Sequence, residues 1–206
     1  MTPPRLLGDR GSTLPIYIWL TTILLFVALA FFAFAQAASA RNGAQSAADA
    51  AALAAAQQAR DELLLELGDA IDAGGGDWLE WLDLSGGAVL PVEGADAAAA
   101  ELAAQNNSTL EGGAQLTEVD GAPGFQVGVV TDYTVGDSII PGTENMTATA
   151  QAVAVIQPRC DFGVNTNPAD PVSLDCDGVS VDIDPGNFDL ADLPDASVMF
   201  SVYLAK

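Results

Sequence analysis

The sequence predicts an α+β protein. A single N-terminal transmembrane helix continues into a long stalk helix, and a small extracytoplasmic domain with an antiparallel sheet follows. Three observations predict this. No charged residue occurs between Arg10 and Arg41. Alanine dominates the stretch that follows. From about residue 114 the apolar pattern changes from helical spacing to alternation, with Gly and Pro between the runs. The expected boundaries are 1–13 for a cytoplasmic N-terminus, 14–38 for the transmembrane helix and 39–73 for the stalk. An extracytoplasmic α+β domain over 74–159 and an Asp-rich, disulfide-containing segment over 160–206 complete the chain.

Composition narrows the function. The 206 residues carry 28 acids against 6 Lys and Arg, a net charge of -22. An electrostatic nucleic-acid binder needs a basic face, so that class is excluded. There is no His, and the one Lys is Lys206. No Ser–His or Ser–Lys nucleophile pair is available, so we expect no enzyme, no cofactor and no small-molecule substrate. Hydrophobic residues reach 50% and mean hydropathy is +0.30 despite 17% charged residues. Grease and acid are therefore segregated along the chain.

The charge-free gap contains Leu14–Ala35, 22 residues. At about 1.5 Å per residue they make roughly 33 Å of helix, the thickness of a bilayer core. Ser12 and Thr13 are good N-caps, and Pro15 suits a first turn. Tyr17 and Trp19 fall where an interfacial aromatic belt lies. Arg5 and Arg10 precede the span, while 27 acids and four basic residues follow it. The positive-inside rule then sets the N-terminus in the cytoplasm and the C-terminal domain outside. A signal peptide is the competing reading, with small-residue sites at Ala33-Phe-Ala35 and Ala38-Ser-Ala40. The apolar stretch exceeds the usual signal core of about 7–15 residues, which favours an intact anchor.

Beyond the span, nine of the thirteen residues from Ala47 to Ala59 are alanine, the best helix former. The helix should run on to Ile71, with a kink at Asn42-Gly43, and end at Gly74–Gly76. Ala47, Ala51, Leu53, Ala54, Ala55, Leu63 and Leu67 form its expected packing face. Two uses suit that face: a seam with another helix, or packing on the protein's own outer domain.

The stretch Asp9-Arg10-Gly11-Ser12, then the apolar segment, then Arg41-Asn-Gly-Ala-Gln45-Ser-Ala-Ala-Asp49-Ala-Ala-Ala-Leu53-Ala resembles the N-terminal module of the TadE/TadG-like proteins of Flp (Tad) pilus assembly. The resemblance covers about residues 9–60. It implies a membrane-anchored structural or accessory component, minor-pilin-like, whose partners are the membrane and other Tad proteins, reached through the N-terminal helix. Type IV prepilins offer a second comparison. Gly11-Ser-Thr-Leu-Pro-Ile16 keeps their Gly and Thr-Leu, but Ile16 stands where they carry Glu, which argues against processing after Gly11.

In the outer domain, Asp77–Asp83 reads as a short amphipathic turn and Gly94–Ala104 as a helix. Trp78 and Trp81 share a face, suited to packing at the stalk junction or to stacking on sugar. Ala114–Val119, Gly124–Val135 and Thr147–Ile156 alternate as strands. Asp120–Gly124 suits a hairpin turn, and Asp137–Gly142 a longer loop. Val179–Ile183 and Val198–Leu204 are further strands. Cys160 and Cys176 are expected to form a disulfide in a loop-rich extracytoplasmic segment. Nine aspartates crowd the last 47 residues. Asp175, Asp177, Asp182 and Asp184 offer oxygen ligands of the kind calcium uses, but without EF-hand spacing. A solvated acidic surface explains them more simply. The alternative to pilus assembly is thus an anchored extracytoplasmic binding module for calcium or envelope glycan.

Overall fold

A computed structural model describes residues 13–74, 76–84, 90–136, 145–163 and 166–205. Arg5, Arg10, Gly11, Ser12, Gly75 and the loop expected over Asp137–Gly142 lie outside the described residues. Helix α1 spans Leu14–Asp72, 59 residues. At 1.5 Å per residue it is about 88 Å long. It continues through Asn42-Gly43 without a break. Gly43 has another use: a Cβ at this position would meet the Tyr133 hydroxyl. Pro15 occupies the first turn as expected, whereas Thr13 stands at the N-cap without a side-chain cap bond.

Residues Trp78–Leu82 form a 3-10 turn, and α2 follows at Glu93–Gln105. The start of α2 lies against Gln58 and Glu62 of α1, where a Cβ on Gly94 would meet the Glu62 carboxylate. From there α2 runs back toward the apolar end of α1. Next come β1 (Ser108–Val119), β2 (Ala122–Thr131) and β3 (Thr149–Pro158), each antiparallel to the one before. Strand β1 begins earlier than the alternation suggested, because Ser108–Glu111 pairs with Gly128–Thr131 before a bulge resets the register. The short β4 (Cys160–Asp161), β5 (Val172–Cys176) and β6 (Val179–Ile183) form a second, three-stranded antiparallel sheet. The turn of helix α3 (Ala196–Met199) leads into β7 (Phe200–Leu204), which pairs with β3. The first sheet therefore has the order β1-β2-β3-β7 and takes its fourth strand from the Asp-rich segment.

Turn chemistry sets the registers. Val119 pairs with Ala122, leaving Asp120-Gly121 as a two-residue loop. Both residues have positive φ, 52° and 85°, as a type I′ turn requires. Asp177-Gly178 repeats the device between Cys176 and Val179, with φ of 51° and 88°.

The core is continuous. One face of the sheet contributes Phe125, Val127 and Val129 from β2 and Ala152, Ala154 and Ile156 from β3. Helix α1 packs against β3, β2 and α2. Ala95, Ala99 and Ala103 recur every fourth residue on the buried side of α2. Alanine on both helices permits the close approach. Trp78 is buried and its Nε1 donates to the Pro168 carbonyl at 2.8 Å, which ties the 3-10 turn to the loop before β5. Trp81 is partly buried against the same core.

Candidate membrane anchor and helix face

Helix α1 lives in two environments. In its first part no residue of the most apolar 18-residue window is buried, and the mean hydropathy there is 2.5. Trp19, Phe31 and Phe34 are among its exposed side chains. Its two threonine hydroxyls are satisfied inside the helix. Thr21 Oγ1 donates to the Tyr17 carbonyl at 2.6 Å, and Thr22 Oγ1 to the Ile18 carbonyl at 2.8 Å. A helix of this length and composition meets hydrocarbon without an unpaired backbone group. Among the described residues it is the one helix long and apolar enough to cross a membrane.

Burial begins at Ala40, beside the first charge, Arg41. From there the buried positions are Ala44, Ala47, Ala48, Ala51, Ala52, Ala55, Ala56, Ala59, Leu63, Leu67, Gly68 and Ile71. Of the expected packing face, Ala47, Ala51, Ala55, Leu63 and Leu67 are completely buried by this chain's own α2 and sheets, while Leu53 and Ala54 are half-buried. An intermolecular seam through the five buried residues is thereby corrected. The alanines are small because α1 is enclosed on two sides, by α2 and by β3. Gly68 is covered by Leu190 and Leu193 from the Asp-rich segment. What remains outward on the second half of α1 includes Gln45, Gln57 and Asp61, with Leu65 also exposed. Gln45 Nε2 donates to Asp49 Oδ1 at 2.8 Å and reaches the Gln151 carbonyl of β3 at 3.4 Å.

Cys160 and Cys176 are disulfide-bonded and stand opposite each other in the β4–β5 register. Arg159 beside them donates from Nε to Asp177 Oδ2 at 2.6 Å and from Nη1 to the Ser197 carbonyl at 2.8 Å. The acids considered as calcium ligands are not brought together. Asp175 Oδ1 accepts from the Gly178 N–H at 2.7 Å, so it braces the β5–β6 turn. Asp177 pairs with Arg159, and Asp184 caps the turn Pro185–Asn187 through the Gly186 N–H. Asp182 faces solvent on β6. Among the described residues no three acids or cysteines converge as a metal site. The local use of these side chains, closing turns, was visible in Asp177-Gly178 and Asp184-Pro-Gly. Asp195, which caps α3, is held below its ordinary pKa. The Ser197 hydroxyl lowers it most, then the Ser197 N–H.

A long α1, bare in its apolar half and built into an α+β domain in its other half, gives the described residues one segment suited to anchoring in a membrane. The family model described as "Putative Flp pilus-assembly TadE/G-like" matches residues 11–58. That span agrees with the resemblance read from the sequence, and it supports a pilus-related role. It covers the anchor and the first part of the buried face, and ends at Gln58 inside α1. No curated protein and no solved structure matches the chain.

Proposed function

We propose that this chain is a membrane-anchored structural or accessory component of a Flp/Tad-type pilus-assembly system, minor-pilin-like and without catalytic activity. The observation that carries the reading is the match to residues 11–58. It falls on a helix whose first part is suited to lipid and whose second part is the spine of a folded domain. The N-terminus is cytoplasmic and the acidic domain extracytoplasmic, as the arginines at 5 and 10 favour. The anchor stays attached, since Ile16 stands where prepilins carry Glu. Other Tad components are the partners. They meet the exposed part of α1, between Leu14 and Ala35, and the outward strip near Gln57, because the alanine face is already covered.

Deletion of the gene, with pili counted by electron microscopy, is the test. Loss or shortening of Flp pili that the intact chain restores is expected, together with recovery of Tad proteins on a tagged copy. Normal pili and an empty pull-down would overturn the role. Protease added to wall-stripped cells should digest the acidic domain. A soluble form beginning at Gln36 or Arg41 would overturn the intact anchor.

A further inference from the structure

We infer that the open edge of β7, with the flank of α1 beside it, is a docking groove for an extended segment of another protein, which adds to the first sheet as a fifth strand. The groove depends neither on the pilus reading nor on the membrane anchor.

The backbone of β7 is open on one side. The strand pairs with β3 alone. The Ala205 N–H donates to the Val153 carbonyl and the Arg159 N–H to the Met199 carbonyl, each at 2.9 Å. Between these bonds an antiparallel ladder uses alternate residues. Ser201 and Tyr203 therefore bond to β3, while Val202 and Leu204 turn their N–H and C=O outward. Among the described residues no hydrogen bond reaches those outward groups. Donors and acceptors that repeat every two residues of a strand, about 7 Å, are matched by another extended backbone.

The other edges are guarded and this one is not. Strand β1 carries Glu111 and Glu118 and a bulge, and Asp96 already takes its Ala114 N–H. In the second sheet β4 is two residues long and β6 carries Asp182. Short strands, bulges and edge charges are devices that keep sheet edges from pairing. Residues 200–205, Phe-Ser-Val-Tyr-Leu-Ala, contain no charge, Pro or Gly in a chain with 28 acids.

The flank of α1 sets what the segment carries. Asp49, Leu204 and Ala205 line one cavity of about 250 Å³, so this side of α1 borders the end of β7. Leu53 lies one turn further along the same face and is half-buried. Val202 and Leu204 are half-buried against the same core. A residue paired with either of them points to the same side of the sheet, toward α1 and Leu53. Asp49 stands at the cavity with its Oδ1 held by Gln45. The segment is therefore β-branched and apolar at alternate positions, with a Lys or Arg at the end that meets Asp49.

The test uses the full chain in phosphatidylcholine nanodiscs and a fluorescein-labelled probe peptide, Lys-Thr-Val-Thr-Val-Thr. Anisotropy should show saturable binding. Hydrogen exchange should slow at the Val202 and Leu204 amides, while Ser201 and Tyr203, already bonded, stay unchanged. The same peptide N-methylated at both valines loses the donors that face β7 and should bind about ten-fold more weakly. Val202→Pro removes an outward N–H that β3 does not use, so it should weaken the unmodified peptide to a similar degree. The N-methylated peptide makes the same comparison on the unaltered chain. Asp49→Asn should weaken the lysine peptide several-fold and leave a peptide with Thr in place of Lys unaffected. No saturable binding at millimolar peptide, equal binding of the N-methylated peptide, or slowed exchange on β1 in place of β7 would overturn the groove. Equal loss for both peptides in Asp49→Asn would overturn the charged end, and so the inference as stated. Each of these results leaves the pilus role, tested by gene deletion, standing.

Discussion

At the scale of single residues, the side chains that look most available in sequence are the ones most committed. Ala51 has no exposed surface, and it lies on α1 between α2 and the sheet. Replacing it by Trp inserts a large ring where only a methyl fits, and overpacking of this kind costs typically 1–3 kcal/mol, about that or more here. Ala51→Trp should lower the melting temperature of the outer domain sharply, measured by circular dichroism, whereas Gln57→Trp on the exposed strip should change it little. Equal melting of the two variants would return Ala51 to the surface. Asp195 makes a prediction about acid. Its carboxylate is bonded by both the hydroxyl and the N–H of Ser197, so its folded pKa lies below the ordinary 3.8. A depressed folded pKa means the stabilisation is fully present above the unfolded value and is lost as pH falls through the folded one. The stability gap between the wild type and Asp195→Asn should be constant at neutral pH and close only below about 3.8. Paired denaturant titrations across that range check it, and a gap that widens on acidification would reverse the assignment.

At the scale of elements, local irregularities are met by specific partners. Strand β1 bulges between Glu111 and Gln115, where Gly112 and Gly113 take positive φ of 76° and 77°. That conformation suits glycine, and it turns the Ala114 N–H out of the ladder. Asp96 on α2 accepts that N–H at 2.8 Å, so the bulge docks the helix on the strand. Asp96→Ala should cost about 1 kcal/mol, since a backbone donor loses its partner. Asp96→Asn, which keeps an accepting oxygen, should restore most of it. Chemical denaturation of the two variants distinguishes this from a loss of charge, which would affect both equally. The bulge illustrates what could and could not be read beforehand. Long periodic elements were legible: α1, α2, β2, β3 and β6 follow from spacing, and the Asp120-Gly121 hairpin from turn chemistry. Strand β5 was not, because Val172, Leu174 and Cys176 alternate over too short a run in an Asp- and Pro-rich context. The same context turned Asp177-Gly178, a type I′ turn, into a candidate cation loop. The disulfide was legible because two cysteines in a segment expected outside the cytoplasm have one partner each. The burial of the alanine face was not, since a thin helix surface fits a seam between molecules as well as a core within one.

At the scale of the whole molecule, the division between anchor and domain falls within one helix, and the fold decides where. The apolar run ends at Ala35, and the first buried residue is Ala40. Nothing resembling a free stalk separates them from the sheet. Residues 39–73, expected as an Ala-rich stalk helix, are the part of α1 against which α2, the first sheet and the turn at Leu190–Asp192 pack. A chain shortened to residues 36–206 retains every buried contact of α1. It should be soluble, unfold cooperatively, and melt within a few degrees of the full chain in detergent. A chain shortened to residues 61–206 removes nine buried alanines from Ala40 to Ala59. At about 0.8 kcal/mol for each methylene-sized group, their burial amounts to about 7 kcal/mol. That is comparable with the whole net stability of a domain, about 5–15 kcal/mol. The loss also exposes Phe125, Phe200 and the buried face of α2 to water. The shorter chain should therefore not fold at all, as judged by a featureless near-ultraviolet circular dichroism spectrum and no thermal transition. A stalk would give the opposite result, because a folded head survives removal of the rod beneath it. If the 61–206 chain melts cooperatively, the alanine helix is a spacer after all, and its small side chains are free to pack against neighbouring subunits of a pilus-assembly complex.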